Sequence, residues 1–177
     1  SKDFIRKWQA RNDRIQPMLY AEAASSCSPA LWQELAQLAK DKNIFITTHL
    51  AQSTEELALM KEKYGQNCVS YLADCGVING HFLGVDGIHL TEEDLDLLAD
   101  RAASLAFNPA ANALHGQMPP IAPALSKGIA SGLGTDSLSG DMFKALRHAL
   151  TSWRMREHTA DAPQPEEVFP LANSLAA

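Results

Sequence analysis

Residues 128–136 read Gly-Ile-Ala-Ser-Gly-Leu-Gly-Thr-Asp. This apolar, glycine-containing segment ends abruptly in the carboxylate of Asp136, which is typical of a buried strand carrying one charged side chain at its C-terminal end. In a (β/α) barrel, that end of the strands is where the active site lies. A second apolar segment, residues 44–49, reads Ile-Phe-Ile-Thr-Thr-His and ends in His49. The two segments together predict that His49 and Asp136 lie at one edge of a sheet as partners for a shared metal ion.

Predicted strands and predicted helices alternate along the chain. Apolar runs predict strands at residues 17–21, 44–48, 81–85, 103–107 and 129–133. Helical spacing and capping residues predict helices at residues 3–12, 29–42, 54 onward, 70–75, 92–101, 121–127, 141–156 and 166–175. This order indicates parallel strands joined by right-handed crossovers. Five such units are too few for a closed eight-stranded barrel, so the sequence favours an open doubly wound sheet or part of a barrel.

Three helix starts carry recognisable capping residues. Ser28 precedes Pro29, which places a hydroxyl at the N-cap and proline at the first helical position. Ser53 is followed three residues later by Glu56, which predicts a capping box. Thr91 begins a third capping signature.

Composition and charge narrow the classes of function that this chain can have. The 177 residues are 46% hydrophobic and 20% charged, with a net charge of −6. This is ordinary globular composition, and the scattered basic residues argue against a nucleic-acid partner. No apolar run reaches transmembrane length and no signal-peptide pattern opens the chain, so we expect no membrane partner. The three cysteines lack metal-finger spacing and predict reduced thiols in a cytoplasmic protein.

Five motifs, in order and at consistent spacing, resemble the amidohydrolase superfamily. They are Thr-His-Leu-Ala-Gln-Ser at 48–53, Gly-Ile-His-Leu-Thr-Glu-Glu-Asp at 87–94, Ala-Phe-Asn-Pro-Ala-Ala-Asn at 106–112, Leu-Gly-Thr-Asp at 133–136, and Asp-Met-Phe at 141–143. The resemblance extends from about residue 17 to residue 173. It is strongest to the branch of guanine, cytosine and S-adenosylhomocysteine deaminases and triazine chlorohydrolases.

That resemblance implies a (β/α)₈ barrel that binds one divalent metal ion, zinc ahead of iron. His49 matches the metal-ligating histidine of barrel strand 5, and Asp136 matches the aspartate of strand 8. The 177 residues would then form a single partial barrel domain covering about strands 4 to 8. The His-x-His pair of strand 1, strands 1 to 3 and the β-sandwich of the family have no counterpart in these residues. Because this chain supplies only two of the expected ligands, we expect it to bind a metal weakly or not at all by itself.

Three positions depart from the family pattern. Gln52 stands where the family has a proton-shuttling glutamate, Asp86 stands where it has the strand-6 histidine, and Glu22 stands where it often has a histidine. His89 matches a common family histidine that binds no metal. These departures favour a changed substrate or mechanism over a decayed site.

The resemblance makes Asp136 and Gln52 the catalytic candidates. The candidates for substrate binding are Glu22, Asp86, His89 and Asn112, while His49 and Asp136 are the metal-ligand candidates. Alternative interpretations remain open at these positions. Asp86 is alternatively a metal ligand or a solvated loop residue. Asp136 is alternatively a buried structural carboxylate or a helix N-cap, and His49 is alternatively a hydrogen-bonded core histidine. Asn112 is interpreted as a loop residue.

The resemblance implies a metal-dependent hydrolase that cleaves a C–N or C–Cl bond of a small nitrogen heterocycle, with Asp136 moving the proton of the attacking water. The alternative is a metal-free relative that acts as an interaction or structural domain. An open flavodoxin-like binding module is a second alternative, although its phosphate-binding glycine loop is missing. Because five strands leave two open sheet edges, we expect a homo-oligomer or pairing with an N-terminal barrel half.

Overall fold

The computed structural model describes residues 2–9 and 15–173. Within these residues the five predicted strands form one parallel sheet, in the order in which they follow along the chain. The strands are β1 (Leu19–Ala23), β2 (Ile46–Leu50), β3 (Phe82–Asp86), β4 (Ser104–Phe107) and β5 (Ala130–Leu133). The chain is therefore an α/β fold, and β1 and β5 form the edges of its sheet.

Helices precede, connect and follow the strands along the chain. They are α1 (Lys2–Gln9), α2 (Pro29–Lys42), α3 (Thr54–Tyr64), α4 (Cys68–Asp74), α5 (Glu92–Asp100), α6 (Pro109–Leu114), α7 (Ile121–Ser126), α8 (Met142–Arg156) and α9 (Pro165–Val168). Short 3₁₀ helices lie at Ala24–Ser26, Asp136–Leu138 and Phe169–Ala172. None of the helices that the structure describes is long and apolar enough to cross a bilayer.

Each strand begins one or two residues later than predicted, and at β2, β4 and β5 this is because the first apolar residues of the runs complete the preceding helices. Ile44 donates its backbone N–H to Ala39 in α2 over 3.0 Å. Ala103 and Ile129 do the same towards α5 and α7. These bonds satisfy carbonyls at the helix ends, so hydrophobic residues at such positions serve helix termination before the strand starts.

The capping predictions hold at two of the three helix starts. Ser28 accepts from the N–H of Leu31, and the residues at 91 and 94 form a complete capping box. At α3, Ser53 caps the helix as predicted, but Glu56 does not complete the box. Its carboxylate instead accepts the backbone N–H of Gln52 over 3.1 Å.

Two helix predictions need correction. The segment after β4 was predicted to be a loop, but it forms α6, so Asn112 is helical and 3% exposed. The predicted C-terminal helix divides into α9 and a 3₁₀ helix, because Pro170 lacks the N–H that would continue α9. Residues 174–175 of that prediction, and residues 10–12 of the predicted first helix, lie outside the described part of the chain.

The two faces of the sheet have different environments. On the covered face, helices bury alternate strand residues, including Ile46, Phe82 and Leu105, each at most 1% exposed. The opposite face, which we call the open face, is uncovered by the described residues. Its strand residues are half-buried or exposed: Tyr20, Glu22, Thr47, His49, Leu83, Val85, Ser104, Ala106, Ala130 and Gly132. This division sets which strand side chains can meet a ligand.

Candidate active site

The predicted site residues gather at the C-terminal edge of the sheet. His49 is the penultimate residue of β2 and Asp86 is the last residue of β3. Asn108 directly follows β4, and Asp136 follows β5 by three residues. Because all the strands are parallel, these ends lie along one edge, as the sequence predicted.

His49 has one ring nitrogen engaged and the other available. Its Nδ1 lies 2.7 Å from the backbone carbonyl oxygen of Glu22. A carbonyl only accepts, so Nδ1 carries the proton and Nε2 holds the lone pair. Nε2 has no hydrogen-bond partner among residues 2–9 and 15–173. This is the arrangement in which a histidine binds a metal ion, with its second nitrogen oriented by a neighbouring acceptor.

Glu22 and Tyr20 form a pair beside His49 that the sequence analysis did not identify. The Tyr20 hydroxyl donates to the Glu22 carboxylate. The other carboxylate oxygen lies 3.6 Å from His49 Nδ1. The Tyr20 and His49 rings meet edge to face with centroids 6.1 Å apart. Strand alternation could have identified Tyr20, since residues 20 and 22 share a face of a β-strand.

The Asp86 side chain takes part in a buried polar cluster. It is 2% exposed, and its Oδ1 accepts from the side-chain amides of Asn108 over 2.9 Å and Asn112 over 3.3 Å. The backbone of Asp86 has φ 71°, a left-handed conformation that a non-glycine residue adopts only when its surroundings hold it there. The cluster therefore joins the end of β3 to the residues after β4.

The same cluster reaches the segment that carries Asp136. Gly134 donates its N–H to the carbonyl of Phe107 over 2.7 Å. A Cβ at position 134 would lie 2.2 Å from Asn108 Oδ1, so only glycine fits this approach. The amide side chain of Asn108 thus sets how closely the end of β5 approaches β4.

Asp136 is exposed, which excludes its interpretation as a buried structural carboxylate. It lies in a 3₁₀ turn with φ 53°, and its Oδ1 accepts the N–H of the following residue. It does not cap the next helix, because Asp141 performs that role for α8. The Asp136 carboxylate is therefore free to reach a ligand from the end of β5.

Gln52 and His89 flank the edge on two neighbouring loops. Gln52 is exposed just beyond β2, and its amide side chain is available to a ligand. His89 is half-buried, and its backbone N–H binds the Ala51 carbonyl over 3.0 Å. The His89 Nε2 atom is buried and has no partner within the described residues. The structure thus places both residues at the predicted edge, and their contact with substrate remains a prediction.

The donor atoms at this edge fit part of a metal site. Imidazole nitrogen and carboxylate oxygen, available at His49 and Asp136, are common ligands of zinc. No group of three or more His, Cys, Asp or Glu side chains suited to a metal ion occurs in the described part of the chain. One carboxylate oxygen of Asp86, Oδ1, is already engaged by two amides. His49 and Asp136 therefore offer two donor types that zinc uses, and the described residues by themselves form no complete metal centre.

Comparison with known proteins gives a consistent family match. The sequence profile described as "Amidohydrolase family" matches residues 2–176. A 5-methylthioadenosine/S-adenosylhomocysteine deaminase from Halothermothrix orenii is 36% identical over 140 residues, which are 78% of this chain and 32% of that relative. The chain thus spans about a third of that relative's length.

Two solved structures share the fold. An adenosine deaminase from Xanthomonas campestris with bound zinc matches with a TM-score of 0.90 at 22% identity, over 97% of this chain and 40% of that one. A guanine deaminase from C. acetobutylicum with bound guanine matches with a TM-score of 0.89 at 21% identity, over 98% and 44%. The arrangement of the five strands and their helices is therefore that of these deaminases.

Proposed function

This chain belongs to the amidohydrolase family, and we propose that it supplies about barrel strands 4 to 8 of a metal-dependent hydrolase that releases an amino group from a nitrogen heterocycle. The engaged Nδ1 and available Nε2 of His49 carry this proposal. All 177 residues belong to one partial barrel domain in this assignment. The free thiols of Cys27, Cys68 and Cys75 support a cytoplasmic location.

His49 and Asp136 are proposed as metal ligands. Strands β2 and β5 are three strand spacings apart, about 14 Å in a flat sheet, so a shared ion requires the sheet to curve around it. Curvature of this kind is what barrel closure produces. The remaining ligands would come from chain outside these 177 residues, since the family relatives are about two to three times longer. We propose zinc ahead of iron, in keeping with the zinc in one structural relative.

A divalent cation at this position would supply Lewis-acid activation of a water molecule at neutral pH. Asp136 would accept the proton of the attacking water and pass it to the nitrogen that leaves. The exposed carboxylate at the end of β5 suits this role, because a proton carrier must reach both water and substrate.

Gln52 is proposed as a catalytic residue that orients substrate without transferring a proton. Its amide both donates and accepts hydrogen bonds, so it can bind a ring nitrogen or a carbonyl, but it has no titratable proton. His89, Glu22, Asp86 and Asn112 are the remaining substrate-binding candidates. Of these, Asp86 and Asn112 are buried against each other, which favours support of the site over direct contact.

The substrate is proposed to be a purine or similar heterocycle with an exocyclic amino group. The name of the sequence relative denotes a deaminase, which favours a C–N bond over a C–Cl bond. The apolar part of the open face, with a groove of about 460 Å³ lined by residues such as Phe45 and Leu83, is proposed to pack against an N-terminal barrel half. A homo-oligomer is the alternative way to cover it.

A metal-free interaction domain is the second candidate function. The buried amide contacts of Asp86, where the family has a histidine, and the exposed Gln52, where it has a glutamate, favour this candidate. It predicts a folded protein that neither binds zinc nor releases ammonia. The two candidates therefore differ in both measurements.

The test uses the full-length product of the reading frame that encodes this chain. We expect stoichiometric zinc after dialysis, and release of ammonia from at least one substrate in a panel of adenosine, 5-methylthioadenosine, S-adenosylhomocysteine, guanine and cytosine. His49→Ala and Asp136→Ala should each abolish ammonia release, while Asp141→Ala, an aspartate that only caps a helix, should retain it. A zinc-loaded protein inactive on the whole panel, or a His49→Ala variant with unchanged activity, would refute the proposal.

A further inference from the structure

Three side chains on the C-terminal part of the open face form a chain of contacts that no catalytic role above explains. Tyr20 donates to Glu22, and Glu22 approaches His49 Nδ1 through both its backbone carbonyl and its carboxylate. From this geometry we propose that Glu22 and Tyr20 are positioning residues that orient His49 so that Nε2 faces the metal ion. The inference rests on the proposed function, since it assigns His49 as a ligand.

An irregularity in β1 brings the Glu22 carbonyl to His49. Tyr20 pairs with Thr47 and Ala23 pairs with His49, so β1 holds one residue more than β2 over this stretch. An extra residue of this kind interrupts the ladder and releases a carbonyl from strand pairing. The released carbonyl accepts the Nδ1 proton over 2.7 Å. The backbone carbonyl and the carboxylate of Glu22 therefore both face Nδ1, and both favour the tautomer that keeps the proton there.

The Glu22 carboxylate has a neighbour that holds it in place. The Tyr20 hydroxyl donates to one of its oxygens, which leaves the other 3.6 Å from His49 Nδ1. Tyr20 also contacts the His49 ring edge to face, which restricts rotation of that ring.

This arrangement gives Glu22 a different role from substrate binding. A carboxylate that accepts from Tyr20 and faces an imidazole N–H has its acceptor sites directed at protein groups. Acceptors of this kind around a ligand histidine hold its tautomer and raise its basicity, and their loss typically weakens metal binding by about 10–100-fold. A residue that contacts substrate would instead change the KM without changing zinc affinity.

The test measures zinc affinity of the full-length protein by competition with a chromophoric chelator. We expect Glu22→Ala, which removes the carboxylate and keeps the backbone carbonyl, to weaken zinc binding by about 10-fold, the lower end of the range for such partners, and Tyr20→Phe to weaken it by a smaller factor. The double variant should lose no more than Glu22→Ala, because Tyr20 acts through Glu22. Ser104→Ala, which removes a hydroxyl from the open face of β4, is the matched control and should bind zinc as the unaltered protein does.

A second measurement needs no metal and no activity. Nitrogen-15 NMR of the metal-free protein should show His49 as the Nδ1–H tautomer, with the Nε2–H tautomer gaining population in Glu22→Ala and in Tyr20→Phe. Should Glu22→Ala fail to fold, Tyr20→Phe keeps the test open, because Tyr20 is 57% exposed and its hydroxyl is dispensable for the core.

Zinc affinities within twofold of the control in both single variants, with the His49 tautomer unchanged, would overturn the inference and leave the proposed function standing. A raised KM at unchanged zinc affinity in Glu22→Ala would also overturn it, in favour of substrate contact. An unaltered protein that binds no zinc would overturn the inference and the proposed function together.

Discussion

The two faces of the five-stranded sheet carry different kinds of residue. The covered face presents Phe82 and Leu105, which helices bury completely or almost so. The open face presents Tyr20, Glu22 and His49, whose contacts are polar and directed at one another. Burial of apolar area drives folding, whereas a binding site needs groups that remain reachable. The difference therefore separates the residues that make this fold from those that give it chemistry, although they alternate along the same strands.

The largest effect expected from this comparison is in β3, where Phe82 and Leu83 point to opposite faces. Phe82 is 0% exposed, so Phe82→Ala should lower the free energy of unfolding by about 3–5 kcal/mol. Leu83 is only half-buried on the open face, so Leu83→Ala should cost less than about 1 kcal/mol in the 177-residue chain. Urea denaturation followed by circular dichroism measures both. Equal losses would show that the open face is packed in solution.

The Asp86 cluster, at the C-terminal end of β3, tests whether buried polar groups also stabilise the fold. Asp86→Ala leaves the amides of Asn108 and Asn112 without their acceptor, and we expect a loss of about 2–3 kcal/mol. Asp136→Ala, at the exposed aspartate, is the control and should change stability by less than about 0.5 kcal/mol. Unfolding of the two variants at the same urea concentration would contradict the expectation that the buried cluster stabilises the fold more than the exposed aspartate does.

Close packing on the covered face should make Gly84 sensitive to a single added methyl group. A Cβ there would lie 2.7 Å from a terminal carbon of Leu50 and 3.1 Å from one of Leu105. Because both are ends of flexible side chains that can shift, we expect Gly84→Ala to cost about 1–2 kcal/mol by thermal or urea unfolding. Gly140→Ala, where a Cβ meets nothing within 4 Å, is the control. A Gly84→Ala variant that is as stable as the unaltered protein would indicate that the layer between strands and helices is loosely packed.

The smallest effect is kinetic and concerns the thiols. Cys68 is 0% exposed, and burial, assisted by the charge of Glu56, raises the pKa of its thiol to about 12. The protonated form is therefore favoured in the folded state, so raising the pH to about 9 should not speed its reaction with a disulfide reagent. Cys27, which is partly exposed, should react first. Loss of the fast phase in Cys27→Ser would confirm that assignment. Rapid reaction of Cys68 would contradict its burial.

Local patterns were sufficient for much of the fold. Apolar runs separated by capped helices predicted five parallel strands, and the structure has them one or two residues later. That displacement arises because residues such as Ile44 serve the end of a helix before the strand begins, which depends on hydrogen bonds across the turn. The helix containing Asn112 was missed because its start, Asn108 followed by Pro109, was interpreted as a loop; α7 is equally short and was predicted.

The site was predictable as a set of strand ends and less so as a set of contacts. His49 and Asp136 were identified from apolar segments that end in a polar side chain, and parallel strands bring those ends to one edge. Tyr20 was missed, because its significance depends on the partners of Glu22 and His49 across β1 and β2. Asp86 was placed among residues open to substrate, whereas its burial depends on amides 22 and 26 residues away.

The amino-acid sequence by itself determined the family of this chain, the alternation of strands and helices, and which residues end the strands, because each of these is written in local composition and spacing. Only the tertiary structure decided which face of the sheet is covered, which amides surround Asp86, and which nitrogen of His49 remains available. Those properties depend on partners that are distant along the chain and on a single extra residue in β1. Hydrogen bonds between such partners form only when the strands are in register. The spacing of residues within one segment therefore does not predict them.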